Sequence, residues 1–510
     1  MTSDETFDFV IIGSGFGGSV CAMRLAEKGY RVLVLEQGKR YRDEDFPKTN
    51  WIFWKYLWIP RLRCFGNLQI TPFKDVFVLH GCGVGGGSLN YANVLMEPDD
   101  CLFAAPAWRH LADWKEILRP HYETAKRMLG VTPNPKTWIA DQICLEIAKE
   151  LKTESSFRPT EVGVFFKEGQ EGQLFTDPYF EGNGPARKSC THCGGCMVGC
   201  RENAKNTLLK NYLYFAEKMG VQIWAECEVR NISPLPASRE WDARYEVAYR
   251  KSTSWWDNRL KTVRARKVIV SASSAGTVHL LLRCRDVTRS LPKISSQLGY
   301  MVRTNSETLL GAVDRHLDTD YSKGIAITSI FQADEVTAVE PVRFPDGSSL
   351  MRYLSAPLIE ASGSIPLRLL KTLGIILRHP IDFLKTHILP GWAHRTTILL
   401  VMQTQDNYIR FRLGRSIFTC FRQGLVSEPD KEHTIPAKID IGHWVTRRYA
   451  QKIDGIPSGS LNEGLFNIPI TAHLLGGCPM GRNDQEGVVG LDCQVHNYPG
   501  LYVVDGAIVP

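Results

Sequence analysis

The feature that most narrows the fold is a glycine pattern set between two apolar runs. Phe7–Ile12 is nearly continuous hydrophobic sequence, as expected of a parallel strand buried on both faces. Gly13-x-Gly15-x-x-Gly18 follows at once, then a helical stretch Ser19–Glu27, Gly29, and a second apolar run Arg31–Leu35 that ends on Glu36. Glycines in this position allow a tight turn and close backbone approach to a pyrophosphate. The helix N-terminus behind them offers free N–H groups and a positive dipole. Glu36 is placed to accept hydrogen bonds from ribose hydroxyls, and an acid there disfavours the 2′-phosphate of NADP. The order strand, glycine turn, helix, strand, acid predicts an α/β chain that opens with a Rossmann-like dinucleotide unit. It does not choose between NAD and FAD.

A second glycine run, His80-Gly-Cys-Gly-Val-Gly-Gly-Gly-Ser-Leu-Asn-Tyr-Ala-Asn93, places five glycines in Gly81–Gly87. Leu79 and Leu89 bracket it, whereas a free linker would be Ser-rich, so it reads as backbone packed against a flat ligand.

Composition bears on partners. The 61 basic and 54 acidic residues leave a net charge of +7 with no Lys/Arg stripe, which argues against nucleic acid. A strand-like run that starts at Phe7 leaves no room for a signal peptide, so the expected location is cytoplasmic. Of 14 cysteines, ten are scattered and four fall in Cys190-x2-Cys193-x2-Cys196-x3-Cys200. That spacing is the bacterial ferredoxin one, except that Arg201 stands where proline usually follows. Two readings stay open: ligands of an iron–sulfur cluster, or a tight cysteine-rich loop without metal. Downstream, apolar residues at helical spacing predict an amphipathic helix over 203–217.

The segments IIGSGFGGS, GVGGGSLNYANVL, GGCMVGCRENAKNTLLKNYL, RTNSETLLG, LFNIPITAHLLGGCPMG and LYVVDGAIVP together resemble the glucose–methanol–choline (GMC) flavin oxidoreductases, in that family's order. The likeness is greatest to the bacterial cholesterol-oxidase-like branch. The resemblance implies FAD as cofactor. Gly13, Gly15, Gly18 and Glu36 would hold its adenosine half, Gly85, Gly86, Gly87, Ser88 and Asn90 its flavin end, and Asp505 and Gly506 its ribityl and pyrophosphate. It also implies a p-hydroxybenzoate-hydroxylase-like architecture, with an FAD-binding domain interleaved with an α+β substrate domain. The expected division is 1–100, 186–300 and 440–510 for FAD, and 101–185 and 301–439 for substrate. The family's strand–turn–helix motif departs at Ser273 and Ser274, which stand where relatives carry Gly-Thr. The subset Cys190-x5-Cys196-x3-Cys200 is similar to the cluster motif of some sugar dehydrogenases of the family.

His473 matches the family's active-site histidine. Oxidation of a secondary alcohol by hydride transfer needs a base for the hydroxyl proton, and histidine titrates near working pH. His80 and His496 read as structural. Cholesterol-oxidase-like enzymes also shift a Δ5 double bond, which needs a carboxylate, and Glu340 is the candidate. The implied activity is oxidation of a sterol-like 3β-hydroxyl, with O2 or another electron acceptor. One alternative is a sugar or alcohol dehydrogenase passing electrons through an iron–sulfur cluster. A second is a catalytically impaired flavoprotein with weak FAD retention, because relatives continue past the segment that ends this chain at Pro510. Two greasy segments, Trp51–Arg63 and Ile365–His379, mix aromatic and aliphatic side chains with basic ones. They suit peripheral membrane contact or the packing of a lid.

Overall fold

Strand Thr6–Ile12 is buried over most of its length and pairs in parallel with Val32–Leu35 on one side and Lys261–Val270 on the other. The computed structural model describes residues 6–236, 243–257, 259–359 and 364–509. Gln222–Trp224 extends this sheet beyond Val32–Leu35, again in parallel. Lys261–Val270 is long enough to serve two sets of partners. Its first half continues into the antiparallel strands Tyr245–Lys251 and Cys227–Pro234, and its second half pairs with Leu501–Val503. Segments from both ends of the chain therefore build one seven-stranded sheet.

The second sheet is also seven-stranded and is antiparallel throughout. Its order is Ser355–Pro357, Gly455–Ser460, Thr308–Asp314, Thr396–Gln403, Thr337–Val342, Ser329–Gln332, Arg158–Pro159. Helices Ile139–Glu150 and Asp440–Lys452 cover one face of it through a core that includes Ile147, Phe331, Val401 and Tyr449. Residues 440–460, expected with the first sheet, thus lie with the second. Helix Trp114–Leu129, expected with the second, feeds Trp114 and Leu129 into cores of the first. Hydrophobic burial on the nearest sheet face decides both placements, and the glycine motifs carry no information about either.

A three-stranded sheet joins the two halves of the site. Leu68–Pro72 pairs with Phe77–Gly81, which runs straight into the second glycine loop, and Ile470–Thr471 pairs in parallel with Phe77 and Val78. His473 is thereby held beside that loop. Among the described residues no helix is long and apolar enough to cross a membrane.

Ser273, at the head of helix Ser273–Leu282, adopts φ 64°, the left-handed region that glycine tolerates and serine does not. Its neighbour Ser274 is well used, donating through Oγ to Gly476 O at 2.7 Å. Ser273→Gly should stabilise the chain by about 1 kcal/mol by removing the Cβ penalty, seen as a higher midpoint of chemical unfolding. An unchanged or lower midpoint would show that the serine side chain offsets the strain.

Candidate active site

The two glycine loops are interlocked. Ser14 Oγ donates to Glu36 Oε2 at 2.7 Å and accepts from Gly85 N at 3.0 Å, so one buried hydroxyl ties the first loop to the second. Glu36 also accepts from Ser14 N and from Gly38 N. Burial pushes its carboxyl pKa up, against these hydrogen bonds. The acid expected to meet ribose therefore also fastens the loop that faces the ribose.

Each glycine has its own reason. A Cβ on Gly13 would lie 2.2 Å from Ser271 O, one on Gly18 2.1 Å from Gly13 O, and one on Gly86 2.7 Å from the Gly15 Cα. Those three allow close packing within the protein. A Cβ on Gly15 or Gly87 would meet no protein atom within 4 Å, so nothing in the protein itself requires glycine there. Both face open space beside the N-terminus of helix Phe16–Ala26, which is where a dinucleotide needs clearance.

Asn90 is split in its use. Its Nδ2 donates to Met197 O at 3.4 Å, while its buried Oδ1 has no partner, an orphaned acceptor that a flavin N–H would satisfy. Ser88 differs from expectation. It is fully buried, and its hydroxyl is spent on Gly85 O and Leu208 N, so it closes the loop rather than reaching outward. Asp505 accepts from Thr277 Oγ1 at 2.6 Å and from Ala507 N at 2.8 Å, and burial raises its pKa to about 6. Gly506 O accepts from Gly476 N at 2.8 Å, joining this turn to the loop after His473. Open glycines, a helix N-terminus and an orphaned amide oxygen together fit FAD.

The chemical centre is an imidazole between two carboxyl groups. His473 Nδ1 lies 2.7 Å from Glu307 Oε2, and Glu307 Oε1 accepts from Ala472 N at 2.6 Å. Glu307 precedes strand Thr308–Asp314, and Arg303 and Leu475 exchange two backbone hydrogen bonds at 2.9 and 3.0 Å that hold its segment against the histidine loop. The Glu307 side chain is 3% exposed and that of His473 is 46% exposed, so the ring stays open on one side while its partner is sealed behind it. Burial would lower the imidazole pKa, but the charge and hydrogen bond of Glu307, with Glu340 behind, hold it above the usual value. With Nδ1 committed to a carboxylate, Nε2 is the ring nitrogen that remains.

Glu340 lies within strand Thr337–Val342, buried, not at a surface strand end. Burial raises its pKa to about 7, partly opposed by His473. The structure thus brings Glu340 and His473 together and adds Glu307, which the sequence reading missed. The signal was present in RTNSETLLG, but no spacing rule links an acid to a histidine 166 residues away. His80 Nε2 pairs with Thr71 Oγ1 at 2.8 Å and burial lowers its pKa to about 4, while His496 Nε2 meets Gly481 O at 3.2 Å. A second buried pair, His443 Nε2 with Glu463 Oε1 at 2.5 Å, is reached from the catalytic strand through Thr308.

Cys190, Cys193, Cys196 and Cys200 are free thiols lining one small cavity. Among the described residues, no group of three or more His, Cys, Asp or Glu side chains is arranged to hold a single metal ion.

Comparison with known proteins agrees with this geometry. GMC oxidoreductase family models match residues 181–285 and 466–510, and an NAD(P)-binding Rossmann-like model matches 11–41. A cholesterol oxidase of Mycobacterium tuberculosis is 45% identical across 99% of this chain and 87% of its own. A cholesterol oxidase of Acinetobacter baumannii is 42% identical across 99% and 90%. The chain belongs to the GMC oxidoreductase family. It is an FAD-dependent oxidoreductase acting on CH–OH groups, of the cholesterol-oxidase-like branch. A long-chain-alcohol oxidase of Arabidopsis thaliana is 21% identical over 99% of this chain and 64% of its own. Among solved structures, pyridoxine 4-oxidase from Mesorbium loti covers 99% of this chain and 94% of its own at TM-score 0.59 and 15% identity, which shows a shared fold.

Glu307→Gln keeps the shape of the contact and removes its charge. It should lower kcat/KM by about 10²-fold or more. Because the base must be neutral, the acid limb of the pH profile should also move to lower pH as the imidazole loses its anionic neighbour. Steady-state rates from pH 5 to 9 in both proteins would check this. A limb that stays in place would remove Glu307 from the role of orienting partner.

Proposed function

We propose that this enzyme oxidises the 3β-hydroxyl of a sterol and moves the Δ5 double bond of the resulting ketone into conjugation. The observation that carries the reading is His473, held by Glu307 and half-open, with a second buried carboxyl, Glu340, close enough to influence its charge. Two relatives more than 40% identical, both cholesterol oxidases, support the substrate class.

When bound, FAD supplies the acceptor for the hydride from the carbinol carbon. His473 Nε2 takes the hydroxyl proton as the C–H bond breaks. Glu307 keeps the ring in one tautomer and stabilises the imidazolium that forms. Glu340, held near pH 7, is suited to take a proton from C4 of the ketone as a carboxylate and return it at C6 as an acid. A dehydrogenase with an iron–sulfur electron exit is a second reading, favoured by the four-cysteine cavity, and it alters where the electrons go rather than which bond is oxidised.

The outer surface suits a peripheral protein that takes its substrate from a bilayer. Helix Ile365–Arg378 leaves Leu370 at 65% and Leu377 at 72% exposure, and helix Pro380–His387 leaves Ile381 at 66%. Trp51 meets Tyr353 ring to ring, and Arg352 donates to Ile388 O and Leu389 O, which links the first greasy segment to the end of helix Pro380–His387. Lys55 and Arg378, both exposed, lie on these segments, as anionic headgroups would require. On the inner side, Arg368 of the first helix donates to Glu463 O at 3.1 Å, above the strand that begins with Thr308.

With a 3β-hydroxy-5-ene sterol supplied in anionic vesicles, the wild type should release the 4-en-3-one. Glu340→Gln should still oxidise but accumulate the 5-en-3-one, and chromatography with ultraviolet detection separates the two. Equal yields of conjugated product from both proteins would remove Glu340 from the isomerisation.

A further inference from the structure

The loop that carries the four cysteines is built more rigidly than a surface loop needs. Gly194 and Gly199 have φ of 72° and 108°, and His192 has 56°. A Cβ on Gly194 would lie 2.4 Å from Ser322 O, and one on Gly199 2.1 Å from the Phe46 ring. Side chains are thus excluded where the loop is pressed against its neighbours, and the thiols turn inward to one cavity. Two sulfurs already receive backbone N–H groups, Cys190 from His192 at 3.4 Å and Cys193 from Gly195. Such donors stabilise thiolates and cluster sulfurs.

Two further groups sit beside that cavity. Lys205 is 1% exposed, and its Nζ donates to Leu89 O, Tyr91 O and Cys196 O at 3.1, 2.7 and 2.9 Å. The chargeable groups that face this buried ammonium are the thiols of Cys196 and Cys200; among the described residues it forms no carboxylate ion pair. The face of the Tyr91 ring, 4.5 Å from Nζ, adds to the three carbonyls that hold it. Asn93 is fully buried against Cys196, and neither its amide nitrogen nor its oxygen has an ordinary hydrogen-bond partner. Lys205 lines the cavity with the four sulfurs, and Asn93 lies beside Cys196 with an amide to spare.

We propose that Cys190, Cys193, Cys196 and Cys200 ligate a [4Fe–4S] cluster, with Lys205 as its buried counter-ion. Each thiolate of such a cluster binds a different iron, so the four need not converge on one point. Four thiolates on a cubane core carry net negative charge, which Lys205 offsets. The site backs onto the flavin-facing loop, since Lys205 holds Leu89 O and Tyr91 O, and it reaches the surface at the exposed Cys193.

The test is elemental and does not depend on turnover. Protein purified without oxygen should contain about four irons and four acid-labile sulfides per chain, with a broad absorbance shoulder beyond the flavin bands. Cys193→Ser should hold about three irons and keep its flavin. Fully flavinated wild type that binds no iron after anaerobic reconstitution with iron and sulfide would overturn the proposal. So would one bound zinc, or a three-iron content that is the same in wild type and Cys193→Ser. Because iron is counted rather than product, failure here leaves the sterol reading standing, and failure of the sterol reading leaves the cluster untouched.

Discussion

The contact between Glu307 and His473 is where the two sheets become one enzyme. Glu307 sits at the entrance to a central strand of the antiparallel sheet, and His473 follows a short strand paired with the one that leads into the second glycine loop. A 2.7 Å carboxylate–imidazole bond therefore ties the antiparallel sheet to the segment that pairs beside the second glycine loop. The carboxylate is sealed, and it holds Nδ1 of a ring that is half-open.

The cofactor side obeys a similar economy. Ser14 and Glu36 form one buried cluster that shapes both glycine loops, and Asp505 ties its own turn to Thr277. Buried polar groups that satisfy each other hold a loop rigid without filling the space in front of it. That leaves Gly15 and Gly87 facing open space while Gly13, Gly18 and Gly86 make the loops pack. The Ser273 strain lies at the edge of this region, where helix Ser273–Leu282 meets Asp505.

Local sequence rules reached some parts of this arrangement and not others. The first strand, the glycine turn and the acid at Glu36 are legible because all three act within about thirty residues of one another. His473 was legible through its loop, and Glu307 was not, because a contact across 166 residues leaves no periodic trace. Glu340 was legible as a candidate carboxylate but not as a residue buried mid-strand, since pattern does not reveal which strands lie on either side. The helix expected over 203–217 begins only at Tyr212. Lys205 and Asn206 are drawn inward to backbone carbonyls, and Asn211 turns back to cap the shorter helix through Tyr212 N. Tertiary hydrogen bonds there outweigh helical periodicity.

The central claim is that a 3β-hydroxysteroid gives up its C3 hydride in this site while His473 takes the hydroxyl proton. Anaerobic mixing of the FAD-loaded enzyme with a 3β-hydroxysteroid, protonated or deuterated at C3, tests it most directly. The account predicts single-turnover bleaching of the flavin band, slowed several-fold by deuterium and absent in His473→Gln. Bleaching by His473→Gln at the wild-type rate, or bleaching by small primary alcohols but by no steroid, would contradict it.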